Sequence, residues 1–126
     1  MAVREVLLYP DPGLKRVCAA APTGAELARV VEDLTDTMRA FPGCVGIAAP
    51  QVGHEVRVAV IDLTGHRKAP ESVHGLTVLV DPVVVSGAGS EVGREGCLSI
   101  PNLTANVRRQ IDVKVTTRDG SFEFEG

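Results

Sequence analysis

A change of hydrophobic period divides this chain, and few folds accommodate it. Leu27, Val30, Val31, Leu34, Met38 and Phe41 recur at helical spacing and so share one face of a helix. Thr23 and Glu26 stand where a capping box would start that helix, and Pro42-Gly43 where it would stop. From residue 55 onward the period falls to that of a strand. Val56, Val58 and Val60 alternate with more polar neighbours, and residues 76–80 and 83–85 are β-branched runs around Asp81-Pro82. Ile111, Val113 and Val115 alternate with Asp112, Lys114 and Thr116. Asp119-Gly120 reads as a two-residue hairpin turn into a strand carrying Phe122 and Phe124 on one face. Residues 1–22 read as an extended arm with turns at Pro10-Asp11-Pro12-Gly13, and residues 86–93 as a Gly- and Ser-rich loop. One helix followed by short strands and hairpins predicts an α+β fold. No repeat, linker or low-complexity segment interrupts residues 1–126, so a single domain is expected.

Aromatic residues make up only 3% of the chain, so Val, Leu, Ile and Ala must fill the core. A net charge of −3 and the absence of any Lys/Arg run longer than a pair such as Arg108-Arg109 give no electrostatic case for nucleic acid. No apolar stretch approaches the roughly 20 residues of a membrane span. The opening residues carry Arg4 and Glu5 inside their apolar run, unlike a signal peptide. Cys18, Cys44 and Cys97 are odd in number and widely spaced, which suits a reducing compartment and makes the cytoplasm the expected location.

Cys97, within Glu95-Gly96-Cys97-Leu98-Ser99, admits three readings from chemistry alone. It is a buried structural cysteine, a nucleophile with a histidine to generate its thiolate, or a metal ligand with two or three further partners. The histidines are His54, His66 and His74, and none is paired with another at helical spacing. Each taken singly reads as a solvated surface residue.

Two segments narrow these readings. Glu95-Gly96-Cys97-Leu98-Ser99 and the upstream Gly46-Ile47-Ala48-Ala49-Pro50-Gln51 resemble two of the three signature motifs of the peptide deformylases. These metallohydrolases remove the formyl group from the first methionine of new bacterial polypeptides. Tyr9-Pro10-Asp11-Pro12 is similar to the family's N-terminal entry, and Ser99-Ile100-Pro101 continues the cysteine motif. Arg109 with Val113 and Val115 resembles the arginine and strand that come next in the family. The resemblance therefore runs from Val3 to Gly126. It implies a peptide deformylase-like α+β fold and one divalent metal, Fe(II) in the family with Zn, Ni or Co as replacements. It also implies Cys97 as metal ligand and Gln51 and Leu98 as catalytic donors to the oxyanion, through the side-chain amide and the backbone N–H. Val45, Gly46, Glu95 and Gly96 are the implied substrate-binding residues, and a pairing of Arg109 with Glu95 is expected to fix the cysteine loop. Implied partners are N-formylmethionyl peptides and nascent chains at the ribosome.

Two positions depart from the family pattern. Cys44 stands where the upstream motif has its first glycine, and a cysteine there would strain the backbone or narrow the cleft if that position needs a positive φ. The third family motif, a helical His-Glu-x-x-His, is missing from the 126 residues, and His54-Glu55-Val56-Arg57-Val58 is no substitute. The reading is then a peptide deformylase lacking its C-terminal metal-binding helix, inactive as this chain, with that motif expected immediately beyond Gly126. Two alternatives stand beside it: a non-catalytic relative that binds formyl-methionyl peptides, and a cysteine-dependent hydrolase using Cys97 or Cys44 with one of the loop histidines. Loss of a core helix should leave apolar sheet faces exposed, so weak stability or self-association over an apolar groove is expected. Calorimetry with light scattering checks this; a monomer melting sharply above roughly 60 °C, beyond most mesophilic domains, would contradict it.

Overall fold

The computed structural model describes residues 3–64 and 75–125. Helix α1, Gly24–Ala40, packs on an antiparallel sheet of β1, Gly46–Ala48, β2, Val58–Ile61, and β3, Thr77–Val80, in the order β1-β2-β3. The helical stripe and the strand alternation meet here. Leu34 and Val60 are fully buried, with Val30, Met38, Ile47, Val58 and Val80 around them, and Leu27 and Val31 pack against this core from its margin. Phe41 falls just beyond the helix and stays 39% exposed.

A second antiparallel sheet joins β4, Val83–Ala88, to β7, Asp112–Thr117, and β8, Gly120–Glu125, in the order β4-β7-β8. Strands β5, Glu91–Cys97, and β6, Ile100–Arg109, pair with each other as a long hairpin. The expected loop over residues 86–93 is therefore mostly strand, with a break near Gly89-Ser90. Its small residues were misleading, because both strands lie largely exposed and need no apolar alternation. Phe122 and Phe124 sit opposite Val115 and Val113 and stack with ring centroids 6.1 Å apart, so the sheet half-covers them.

Two local expectations are corrected. Thr23 precedes α1 but makes no side-chain capping bond, because Gly24 enters the helix at φ +59 and turns the first amides away from the hydroxyl. The last hairpin turns at Arg118-Asp119, with Thr117 opposite Gly120 at the start of β8. Arg118 is drawn there by Asp81, the residue between the two sheets. The Asp81 carboxylate accepts from the Ala21 amide at 2.8 Å and from Arg118, whose guanidinium also donates to the Ala21 and Pro22 carbonyls. Asp81 adopts φ 50, and this clasp fastens the arm to both sheets.

The helix also buries a polar pair within its apolar face. Thr37 is fully buried and Asp33 is 2% exposed. The Arg4 amide donates to the Thr37 hydroxyl at 2.8 Å, and Arg4 Nε to Asp33 Oδ2 at 2.9 Å. His54, expected on the solvated surface, instead lies 3.2 Å from the same Asp33 oxygen. Burial pushes the Asp33 carboxyl up, but the hydrogen bonds from His54 and Arg4 outweigh it and hold the group below its ordinary value. A carboxyl depressed in the folded state stabilises above its unfolded pKa of about 4 and loses that contribution as pH falls through the folded value. Asp33→Asn should therefore destabilise by about 1–3 kcal/mol at pH 7. Its deficit against the parent should hold steady from pH 7 to about pH 4 and shrink only as urea titrations go below that, through the lowered folded value. A deficit independent of pH would contradict the assignment.

Candidate active-site cleft

Gln51 is placed by a short 3₁₀ turn, Ala49–Val52, that follows β1 directly and is closed by Gly53 at φ +86. Its side chain faces the cysteine hairpin. Oε1 accepts the Ala48 amide at 3.0 Å, which leaves Nε2 directed outward. Nε2 donates to the Ser99 hydroxyl at 3.1 Å and lies 3.5 Å from Cys97 Sγ. Ser99, only 4% exposed, was not singled out by the sequence as a site residue, although it belongs to the cysteine motif.

The chain brings Cys97 to this point by ending β5 on it. Leu98-Ser99 then turn sharply, so that Cys97 pairs with Ile100 after a break in the register at Gly96. The arm stitches both halves from behind: the Leu7 amide donates to the Gln51 carbonyl at 2.7 Å, and the Tyr9 amide to the Ser99 carbonyl at 2.8 Å. Residues 7–9 thus fasten the glutamine turn and the cysteine turn to one strip of backbone, an arrangement that periodicity could not reveal.

Between these elements lies an open cleft of about 560 Å³. Val45, Gly46, Gln51, Gly96, Cys97 and Leu98 all line it. Gly46 has little room for a side chain on its sheet side, because a Cβ would come within 3.1 Å of Ile61 Cγ2. Glu95 is not among the lining residues. Its carboxylate receives Arg109 Nε at 3.0 Å and Nη2 at 2.9 Å, a fork that holds the Glu95 carboxyl below its ordinary value and ties β5 to the far end of β6.

Cys44 lines the same cleft in ordinary backbone geometry, since the positive φ, +80, falls on Gly43. The expected strain at Cys44 is therefore absent, and its thiol, 3.4 Å from the Gly46 carbonyl, is pushed up by burial. Of the histidines, His54 is engaged by Asp33, while His66 and His74 lie outside the described residues. Among the described residues no group of three or more His, Cys, Asp or Glu could hold a metal ion.

The cleft and its motifs have counterparts in known proteins. The polypeptide deformylase family profile matches residues 3–125. Peptide deformylase 2 of Vibrio cholerae is 42% identical over 119 residues, 94% of this chain and 67% of its own length. A crystal structure of a peptide deformylase from Legionella pneumophila superposes with a TM-score of 0.82 at 36% identity, over 99% of this chain and 72% of that one. A Met-Ala-Ser-bound class I type b peptide deformylase from Acinetobacter baumannii superposes with a TM-score of 0.87 at 29% identity, over 100% of this chain and 86% of that one. The α+β architecture and the two motifs thus have one common source: this chain belongs to the peptide deformylase family of enzymes.

Proposed function

We propose that this domain carries the substrate cleft and cysteine side of a peptide deformylase-type metallohydrolase, which removes the N-formyl group from the initiator methionine of nascent polypeptides. We further propose that the 126-residue chain binds such peptides without hydrolysing them. The observation that carries this reading is the cleft itself, which gathers Gln51, Cys97 and Leu98 around one space. Strand β1 supports it, because among the described strands only β2 pairs with β1, which leaves its other edge available to an extended peptide. In this reading Val45 and Gly46 meet the peptide backbone, while the Gln51 amide and the Leu98 N–H bind the formyl carbonyl.

A catalytic divalent metal needs three protein ligands and an open position. The donors described here do not meet that requirement: Cys97 offers one exposed thiol, and the neighbouring side chain that reaches it is an amide. Fe(II), Zn, Ni or Co would therefore need ligands beyond those described, and the residues present support binding and orientation only. Cytoplasmic initiator-methionine processing, at nascent chains on the ribosome, is the setting this reading implies. No described helix is long and apolar enough to cross a membrane. Val83, Val84 and Val85 are each more than half exposed along β4, which supports self-association through that strand.

A non-catalytic binding role would share the cleft and differ only in whether any assembled form turns over. Calorimetric titration with N-formyl-Met-Ala-Ser should show binding that Gln51→Ala weakens about tenfold, the loss of one uncharged hydrogen bond. Formate release by the same preparation should stay at background, with iron and zinc well below one per chain. Stoichiometric metal with turnover would overturn the reading, and so would the absence of any peptide binding. For the Glu95–Arg109 fork, Arg109→Ala should change stability by less than about 1 kcal/mol, as an exposed pair does. It should nevertheless speed amide hydrogen exchange over residues 95–99; unchanged exchange there would remove the fork from the positioning of Cys97.

A further inference from the structure

The cleft contains two thiols with unequal access. Cys97 is exposed at the end of β5, whereas Cys44 is half-buried against the core and opens into the same cleft. Cys18 has no part in this arrangement, its sulfur lying 3.8 Å from the Arg16 carbonyl on the arm. Cys44 follows the Pro42-Gly43 turn and precedes β1, and Cys97 sits beside the register break of its hairpin. A disulfide needs Cα atoms within about 7 Å, so joining the two sulfurs would draw the turns that carry them together across the cleft.

We propose that Cys44 is a resolving thiol for Cys97, so that hydrogen peroxide joins the two in a disulfide that bridges the cleft and excludes the peptide. The exposed Cys97 sulfur attacks one peroxide oxygen, the O–O bond breaks, and Cys97 becomes a sulfenic acid as water leaves. The Cys44 sulfur then attacks the Cys97 sulfur, an S–S bond forms, the S–O bond breaks, and the hydroxyl departs with the Cys44 proton as a second water. Peroxide is reduced by two electrons and the two thiols are oxidised by two. Cys44 thereby protects Cys97 from irreversible over-oxidation, and a thiol reductant reopens the cleft. The position where this chain departs from the family's glycine becomes a redox-sensitive latch on its own substrate site.

The test is peptide mass spectrometry of the Cys18→Ser protein after brief treatment with hydrogen peroxide and alkylation of remaining thiols. The expected product is an intramolecular Cys44–Cys97 cross-link, two hydrogens lighter than the dithiol, running as a monomer on a non-reducing gel and cleaved by dithiothreitol. In Cys18→Ser/Cys44→Ser the cross-link should vanish and Cys97 should advance to sulfinic acid that dithiothreitol does not reverse. Sulfinic acid at Cys97 with Cys44 still fully alkylatable in the Cys18→Ser protein would overturn the proposal, as would cross-links found only between molecules. The cross-link is read directly by mass, so this result is separate from whether the cleft binds formyl peptides.

Discussion

The Gln51 side chain is the contact on which the cleft depends. It turns one end back on its own strand, through the Ala48 amide, and extends the other to Ser99 and Cys97. The hairpin that carries Cys97 pairs with no other strand among those described, so this bridge and the Tyr9–Ser99 backbone bond do much to position it. A buried hydroxyl such as Ser99 needs a partner, and the amide that satisfies it also directs its second hydrogen toward the thiol. The same few atoms thus determine hairpin docking and the chemistry of the cleft wall.

Behind that bridge, the core and the arm set its position. The α1 face and the β1-β2-β3 sheet enclose Leu34 and Val60 completely, and the short turn bearing Gln51 follows directly from this sheet. Arg4 anchors the arm to Asp33 and Thr37 on the helix, and three residues later Leu7 begins the stitching of the two motifs. His54 shares Asp33 from the other side of the glutamine turn. A polar cluster under the helix and an amide bridge in the cleft are therefore linked through a few residues of backbone. Asp81 performs the corresponding task at the other end, where it joins the arm, the first sheet and the last hairpin.

Apolar rhythm made the helix, β2 and β7 legible in the sequence, since in each case one face is buried, and β3 was legible as a β-branched run. Leu34, Met38, Val58 and Val60 occupy the core positions that their spacing implies. Strand β5 carries Gly93, Gly96 and charged residues with no buried face to impose alternation, so its sequence resembles a loop. Asp33 and Thr37 were invisible for a related reason: a polar residue on an apolar stripe looks like an interruption until its partners, distant in sequence, are known. The motifs placed Gln51, Cys97 and Leu98 along the cleft because such signatures record function and not periodicity. The roles of the arm and of Ser99 required the tertiary contacts.

The direct test of Gln51 as the organising contact is nuclear magnetic resonance of the labelled protein titrated with N-formyl-Met-Ala-Ser. The account predicts that the Gln51 side-chain amide and the Leu98 backbone amide shift together and saturate at one peptide concentration, while Val113 to Thr117 on the second sheet stay in place. Peptide-dependent shifts confined to that second sheet, with the Gln51 amide unmoved, would contradict it.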